Sequence, residues 1–139
     1  MSYQLRAKNY ELTTMNHIKF PFEDLEVWQK AVEFANKVIN LTEEIQTNRK
    51  HFRLIEQLEA ASTSVALNIA EGKGRYSKKE FIQFLYIARG SLYETIALLI
   101  IFHKNGWIDN VQLDEIKAFG DEIGKMLSSL INSIKNSMS

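Results

Sequence analysis

Apolar residues recur along this chain at spacings of three and four, in four separate stretches. That spacing lines side chains along one stripe of an α-helix, where a period of 3.6 residues brings every third or fourth position to the same face. The first stretch carries Trp28, Ala31, Val32, Ala35, Val38, Ile39, Thr42 and Ile45, and predicts a helix over 24–46 with Asp24 as its N-cap. The second has Leu54, Leu58, Ala61, Val65 and Ile69 on one face, with Ile55 and Ser62 beside it, and predicts a helix over 52–71. Phe81, Phe84, Leu85, Ala88, Leu92, Leu99 and Phe102 predict a third helix over 78–104. Ile116, Phe119, Ile123, Leu127, Leu130 and Ile134 predict a fourth over 110–134.

The breaks between these stretches are short. Thr47-Asn48-Arg49-Lys50 separates the first two, and Asn105-Gly106 the last two. Between the second and third, Gly72 or Gly74 is expected to end the helix in a left-handed turn. Ser77, with Glu80 three residues on, reads as a capping box that starts the next helix. Four amphipathic helices with short connections define an all-α fold, an antiparallel up-and-down four-helix bundle. We place it at 21–139, behind a flexible N-terminal tail over 1–20 that Pro21 closes.

The third helix departs from a simple stripe. Tyr86, Tyr93, Ile96, Ile100 and Ile101 broaden it until its C-terminal half is apolar almost all round. Such a helix in a small protein needs a second burial surface, so a homo-oligomer is expected. Gly120 and Gly124, four apart, are read as a groove that lets another helix sit close.

Composition narrows the function. The 139 residues hold 17 basic and 17 acidic side chains, for a formal net charge of zero. Binders of nucleic acid gain much of their affinity from a basic excess, and this chain has none overall. With no cysteine there is no disulfide, thiolate ligand or cysteine nucleophile. The longest apolar run, Ile96 to Phe102, is far shorter than a membrane span, and the N-terminus lacks a signal-peptide pattern. A cytoplasmic protein is the expectation.

Catalytic and metal-binding constellations are missing from the pattern. None of His17, His51 and His103 follows a glutamate by three residues, which removes the paired Glu-x-x-His of di-iron bundles. Lys73-Gly74-Arg75 lacks the spacing of a phosphate-binding loop, and no serine sits in a nucleophile elbow. No enzyme activity, cofactor or metal is expected. A polar set of Asn68, Glu71, Arg75, Arg89 and Glu94 is read as structural, fixing the second helix against the third around Gly72 and Gly74. Lys73, Arg75, Lys78 and Lys79 form a basic corner that is either a solvated surface or a contact for phosphates. Tyr76 beside them is expected to cover the end of the core.

Several motifs in fixed order resemble one family. Phe22-Glu23-Asp24-Leu25-Glu26-Val27-Trp28-Gln29-Lys30-Ala31 is similar to the opening of the 23S rRNA intervening-sequence proteins, also called four-helix bundle proteins. Asn68-Ile69-Ala70-Glu71-Gly72, Gly74-Arg75, Lys79-Glu80-Phe81 and Phe84-Leu85 resemble its central signature. Ala88-Arg89-Gly90-Ser91-Leu92 with Glu94 resembles its third-helix motif, and Gly106-Trp107-Ile108 its last turn. The resemblance implies homo-oligomers, ring-shaped pentamers in known cases, with no established biochemical activity. It also implies kinship with accessory proteins of diversity-generating retroelements, which bind nucleic acid and partner a reverse transcriptase. Two departures stand out: Glu59 and Ala60 occupy positions where adjacent arginines are common, and Ala66 replaces a common proline. The first weighs against nucleic-acid binding. The expectation is a non-enzymatic, homo-oligomeric scaffold or adaptor with a nucleic-acid or protein partner. Its alternative is an accessory protein that contacts RNA or DNA through Lys73, Arg75, Lys78 and Lys79.

Overall fold

A computed structural model describes residues 17–45, 47 and 50–138 of the chain. The tail expected over 1–20 therefore lies mostly outside the described residues. A 3-10 turn at Pro21–Asp24 leads into four helices: α1 (Glu26–Glu44), α2 (Phe52–Lys73), α3 (Lys78–Lys104) and α4 (Asn110–Asn136). No strand occurs among the described residues. Each helix packs on its neighbours in chain order, and α4 closes back onto α1, while opposite helices make no close backbone approach. The result is a square, antiparallel four-helix bundle, as the periodicity predicts.

The start of α1 differs from the expectation that Asp24 caps it. Pro21 opens a turn in which the Glu23 carboxylate accepts from the Phe20 N–H at 2.7 Å, and Asp24 is the last residue of that turn. The helix starts after Leu25, whose carbonyl accepts from the Gln29 N–H at 3.1 Å, with no side-chain cap. Phe22 packs edge-on against Trp28, with ring centroids 4.9 Å apart. That contact draws Trp28 toward the entry turn and leaves it half-buried. The stripe that α1 buries is rotated accordingly: Val27, Ala31, Phe34, Ala35, Val38 and Leu41.

Phe34 is fully buried and stacks on Phe119 at 6.3 Å. Burying a side chain of that size stabilises the fold by about 1.5–3 kcal/mol. From α2 the core takes Leu58, Val65 and Ile69, from α3 Leu85, Leu92, Leu99 and Phe102, and from α4 Ile123, Leu127 and Ile131. Among the described residues Ser62 and Thr95 are the buried polar ones, and each returns its hydroxyl proton to its own helix, at 3.0 Å to the Glu59 carbonyl and 2.8 Å to that of Ser91. No desolvated donor is left unpaired there, which keeps the core inexpensive to bury.

Helix ends follow local chemistry. Ser77 Oγ accepts from the Glu80 N–H at 3.1 Å, and Asp109 with Gln112 forms a reciprocal box at 2.8 and 2.9 Å that starts α4. Gly106, in the Asn105-Gly106 break after α3, has φ +77°, a left-handed turn. His51 opens α2 at φ 67° and rests on Trp107 at 4.7 Å, which itself packs edge-on to Phe102 at 5.0 Å. By length and composition alone α3 is apolar enough to cross a membrane, but in the bundle its inner side packs against α2 and α4.

Candidate functional site

Two surfaces concentrate chemistry: the corner between α2 and α3, and the seam between α3 and α4. At the corner the expected left-handed glycine is absent. Gly106 is the glycine with positive φ among the described residues, and Gly74 ends α2 at φ −80°, an ordinary right-handed conformation. α2 also continues through Gly72 to Lys73. Gly72 is needed for space instead. A Cβ there would lie 2.6 Å from Phe84 Cβ and 3.0 Å from Phe81 Cδ1, so the first turns of α3 press directly on its backbone.

Asn68 secures the same crossing from one turn away. Its Nδ2 donates to the Ser64 carbonyl and to Ser64 Oγ, both at 2.8 Å, and Ser64 Oγ is bonded to Ser91 Oγ on α3 at 2.9 Å. Glu71 pairs with Arg75 at 2.8 Å, both groups about half exposed, so the pair is worth a few tenths of a kcal/mol at most. Arg89 and Glu94 lie away from the corner. Arg89 turns to α4, donating to Ser128 Oγ at 3.5 Å, and Glu94 accepts from Gln57 of α2 at 3.5 Å.

The four basic residues differ in how free they are. Lys73 lies 5.8 Å from the centre of the Phe81 ring, and Arg75, besides its Glu71 pair, lies 4.8 Å from that of Phe84. Lys78 donates to Ser137 Oγ at 3.0 Å and tethers the start of α3 to the end of α4. Lys79 is exposed and has no partner among the described residues. Tyr76 does not cover the core; its side chain is fully exposed. The reason is local: Ser77 takes the N-cap position of α3, so Tyr76 belongs to the turn before the helix and not to its buried stripe.

On the α3/α4 seam a groove of about 660 Å³ runs between Leu92, Tyr93, Ile96, Ala97 and Ile100 on one side and Lys117, Gly120, Gly124 and Lys125 on the other. Gly120 and Gly124 were expected to receive another helix. Within the chain Gly120 receives α3 side chains and α1: an added Cβ would meet Ile96 at 3.1 Å, Leu92 at 3.3 Å and Phe34 at 3.5 Å. Gly124 lines the open groove. Next to it, Tyr86 Oη accepts from Lys135 at 2.7 Å, and the Arg89 guanidinium lies 4.9 Å from the centre of its ring. The Lys135 hydrogen bond, reinforced by the charges of Lys135 and Arg89 and opposed by partial desolvation, holds the Tyr86 phenol below its usual pKa. Sequence reasoning missed Lys135 and Ser128, because their roles come only from the packing of α4 beside α3.

Among the described residues no group of three or more His, Asp or Glu side chains could hold a metal ion. His103 is hydrogen-bonded to Asn110 at 2.6 Å, and the His51 ring packs at a tilt on Trp107, so both are used in packing around the α3–α4 turn. The geometry is that of a four-helix bundle with an open, largely apolar groove between α3 and α4. The chain belongs to the 23S rRNA-intervening sequence protein family, whose model matches residues 23–129. It is similar to a crystal structure of a protein of unknown function from the S23 ribosomal protein family of Bacteroides thetaiotaomicron VPI-5482. That likeness has a TM-score of 0.71 at 31% identity and covers 76% of this chain and 97% of the other. A comparison with curated proteins finds no match.

Proposed function

We propose that this chain is a non-enzymatic scaffold or adaptor that works as a homo-oligomer in the cytoplasm, five copies being the number the family resemblance favours. The observation that carries the reading is the outer side of α3. Tyr93, 67% exposed, and Ile100, 36% exposed, line an apolar groove on a helix whose opposite side is already buried. Apolar surface of this kind, contiguous and rimmed by charge, marks a contact with another macromolecule. Light scattering coupled to gel filtration tests it: a mass several times that of one chain is expected, and a monomer at micromolar concentration refutes it.

A second reading, nucleic-acid binding at the α2/α3 corner, draws on Tyr76, which stands fully exposed near the unpartnered Lys79. An exposed ring among basic groups supports stacking on an unpaired base. On this reading, affinity for a mixed RNA and DNA pool falls steeply with salt, and Lys78→Glu with Lys79→Glu abolishes it. Absence of binding at low salt eliminates the reading.

A further inference from the structure

Where the start of α3 meets the end of α4, the seam gathers positive charge with no acid to answer it. From Phe81 to Tyr93 on α3, and from Ile123 to Met138 on α4, the chain carries no aspartate or glutamate. Arg89 and Lys135 stand in that stretch, and neither forms an ion pair among the described residues. Both are turned on one side chain. Lys135 Nζ donates to Tyr86 Oη at 2.7 Å, and the Arg89 guanidinium, three residues along the same helix, lies 4.9 Å from the ring centre. The Arg89 bond to Ser128 Oγ is long, at 3.5 Å, so most of the guanidinium donors remain unused. Lys78 adds a third cation to the seam, bound to Ser137 Oγ at 3.0 Å. The carboxylates that flank the stretch are engaged elsewhere: Glu80 with Ser77, Glu94 with Gln57 of α2, Asp121 with Lys125 and Glu122 with Lys30 of α1.

We propose that Tyr86 is a covalent modification site, a phenol held ready to accept a phosphoryl group from an electrophilic phosphorus donor. The inference goes beyond the scaffold reading and does not depend on it. A phenol reacts as its phenolate, and a cation that donates to the oxygen raises the phenolate share. The lowered pKa of Tyr86 agrees with this. In the step, the phenol proton passes to water and a lone pair of the oxygen forms the new O–P bond. The donor's leaving group departs with the electron pair of the bond that breaks. Lys135, already an ammonium, keeps its protons and holds the oxygen. Arg89 supplies donors to the phosphoryl oxygens, where negative charge gathers in the transition state. A phosphate monoester formed there adds a charge of about −1.5 to −2 where no carboxylate repels it. That product favours a phosphoryl group over an acyl group, whose ester would leave both cations without a counter-charge.

The other described tyrosines give the comparison. Tyr76 is fully exposed and Tyr93 67% exposed, against 38% for Tyr86, and neither of the first two phenols has a hydrogen bond among the described residues. Access alone ranks Tyr86 last, whereas activation ranks it first. The full chain is treated with limiting diisopropyl fluorophosphate, from which fluoride is the leaving group. The rate at each tyrosine is read by peptide mass spectrometry across a pH series. Tyr86 is expected to react severalfold faster than Tyr76 and Tyr93 at neutral pH, and its rate to rise at lower pH than theirs. Lys135→Met should slow Tyr86 to the rate of Tyr76 or below and move its pH profile upward. Lys135→Arg should keep most of the rate, with circular dichroism checking that both variants retain their helices. If Tyr86 reacts no faster than Tyr76 in the parent chain, the proposal is overturned, and that comparison needs no variant. Equal Tyr86 rates in the parent and in Lys135→Met overturn it too, because the reactivity would then not come from the cation.

Discussion

Replacing Gly72 with alanine adds one methyl group where α2 and α3 touch. Two effects of opposite sign follow. Gly72 sits inside a helix with right-handed backbone, where alanine is favoured over glycine by about 0.8–1 kcal/mol. Against that, the new Cβ would lie 2.6 Å from Phe84 Cβ, and both atoms are bonded directly to backbone, so neither can rotate away. Overpacking of this kind costs about 1–3 kcal/mol, and a clash between two fixed atoms belongs to the upper part of that range. The expected outcome is a net loss of about 1–2 kcal/mol. Gly74, two residues on, supplies the control: its added Cβ would meet the Glu71 and Ala70 carbonyls at an ordinary 3.5 and 3.8 Å, with φ −80°. Gly74→Ala should therefore stabilise the protein by about 0.4–1 kcal/mol through the unfolded chain. Urea denaturation at one fixed protein concentration reads both as midpoint shifts at unchanged slope. If Gly72→Ala equals or exceeds the parent in stability, the close approach assigned to the corner is refuted.

Leu85 is completely buried, and Leu85→Ala should cost about 2–5 kcal/mol in the same assay. Ser77→Ala removes the acceptor of the Glu80 N–H and should cost about 0.5–2 kcal/mol, with Ser77→Asp restoring most of it. Tyr86 should ionise at lower pH than an isolated tyrosine, because Lys135 and Arg89 favour the phenolate. Lys135→Met should move that ionisation upward in an ultraviolet difference titration. The sign for stability follows: a lowered folded-state pKa adds stability only at alkaline pH, and the gain is lost as pH falls through the lowered value.

What the chain itself determined is the set of elements. Periodicity and punctuation are local properties, so four helices, their approximate limits and the caps at Ser77 and Gly106 were legible without any partner in view. The surplus of apolar positions on α3 was legible too, since Tyr93, Ile100 and Ile101 cannot all face one core. Tertiary structure decided the phase of each helix and the company of each polar group. Trp28 belongs to the helical period of α1, yet Phe22 holds it at the edge while Phe34 takes the centre, a choice made by the neighbouring helices. Gly72 and Gly74 look alike in sequence; one is required by the Phe81 and Phe84 side chains of a facing helix, and the other by nothing comparable. Arg89 and Glu94 are five residues apart, which points them to different sides of α3, so Arg89 meets Ser128 of α4 and Glu94 meets Gln57 of α2. Contacts between residues distant in the chain carry no local signature, because they exist only once the helices have packed.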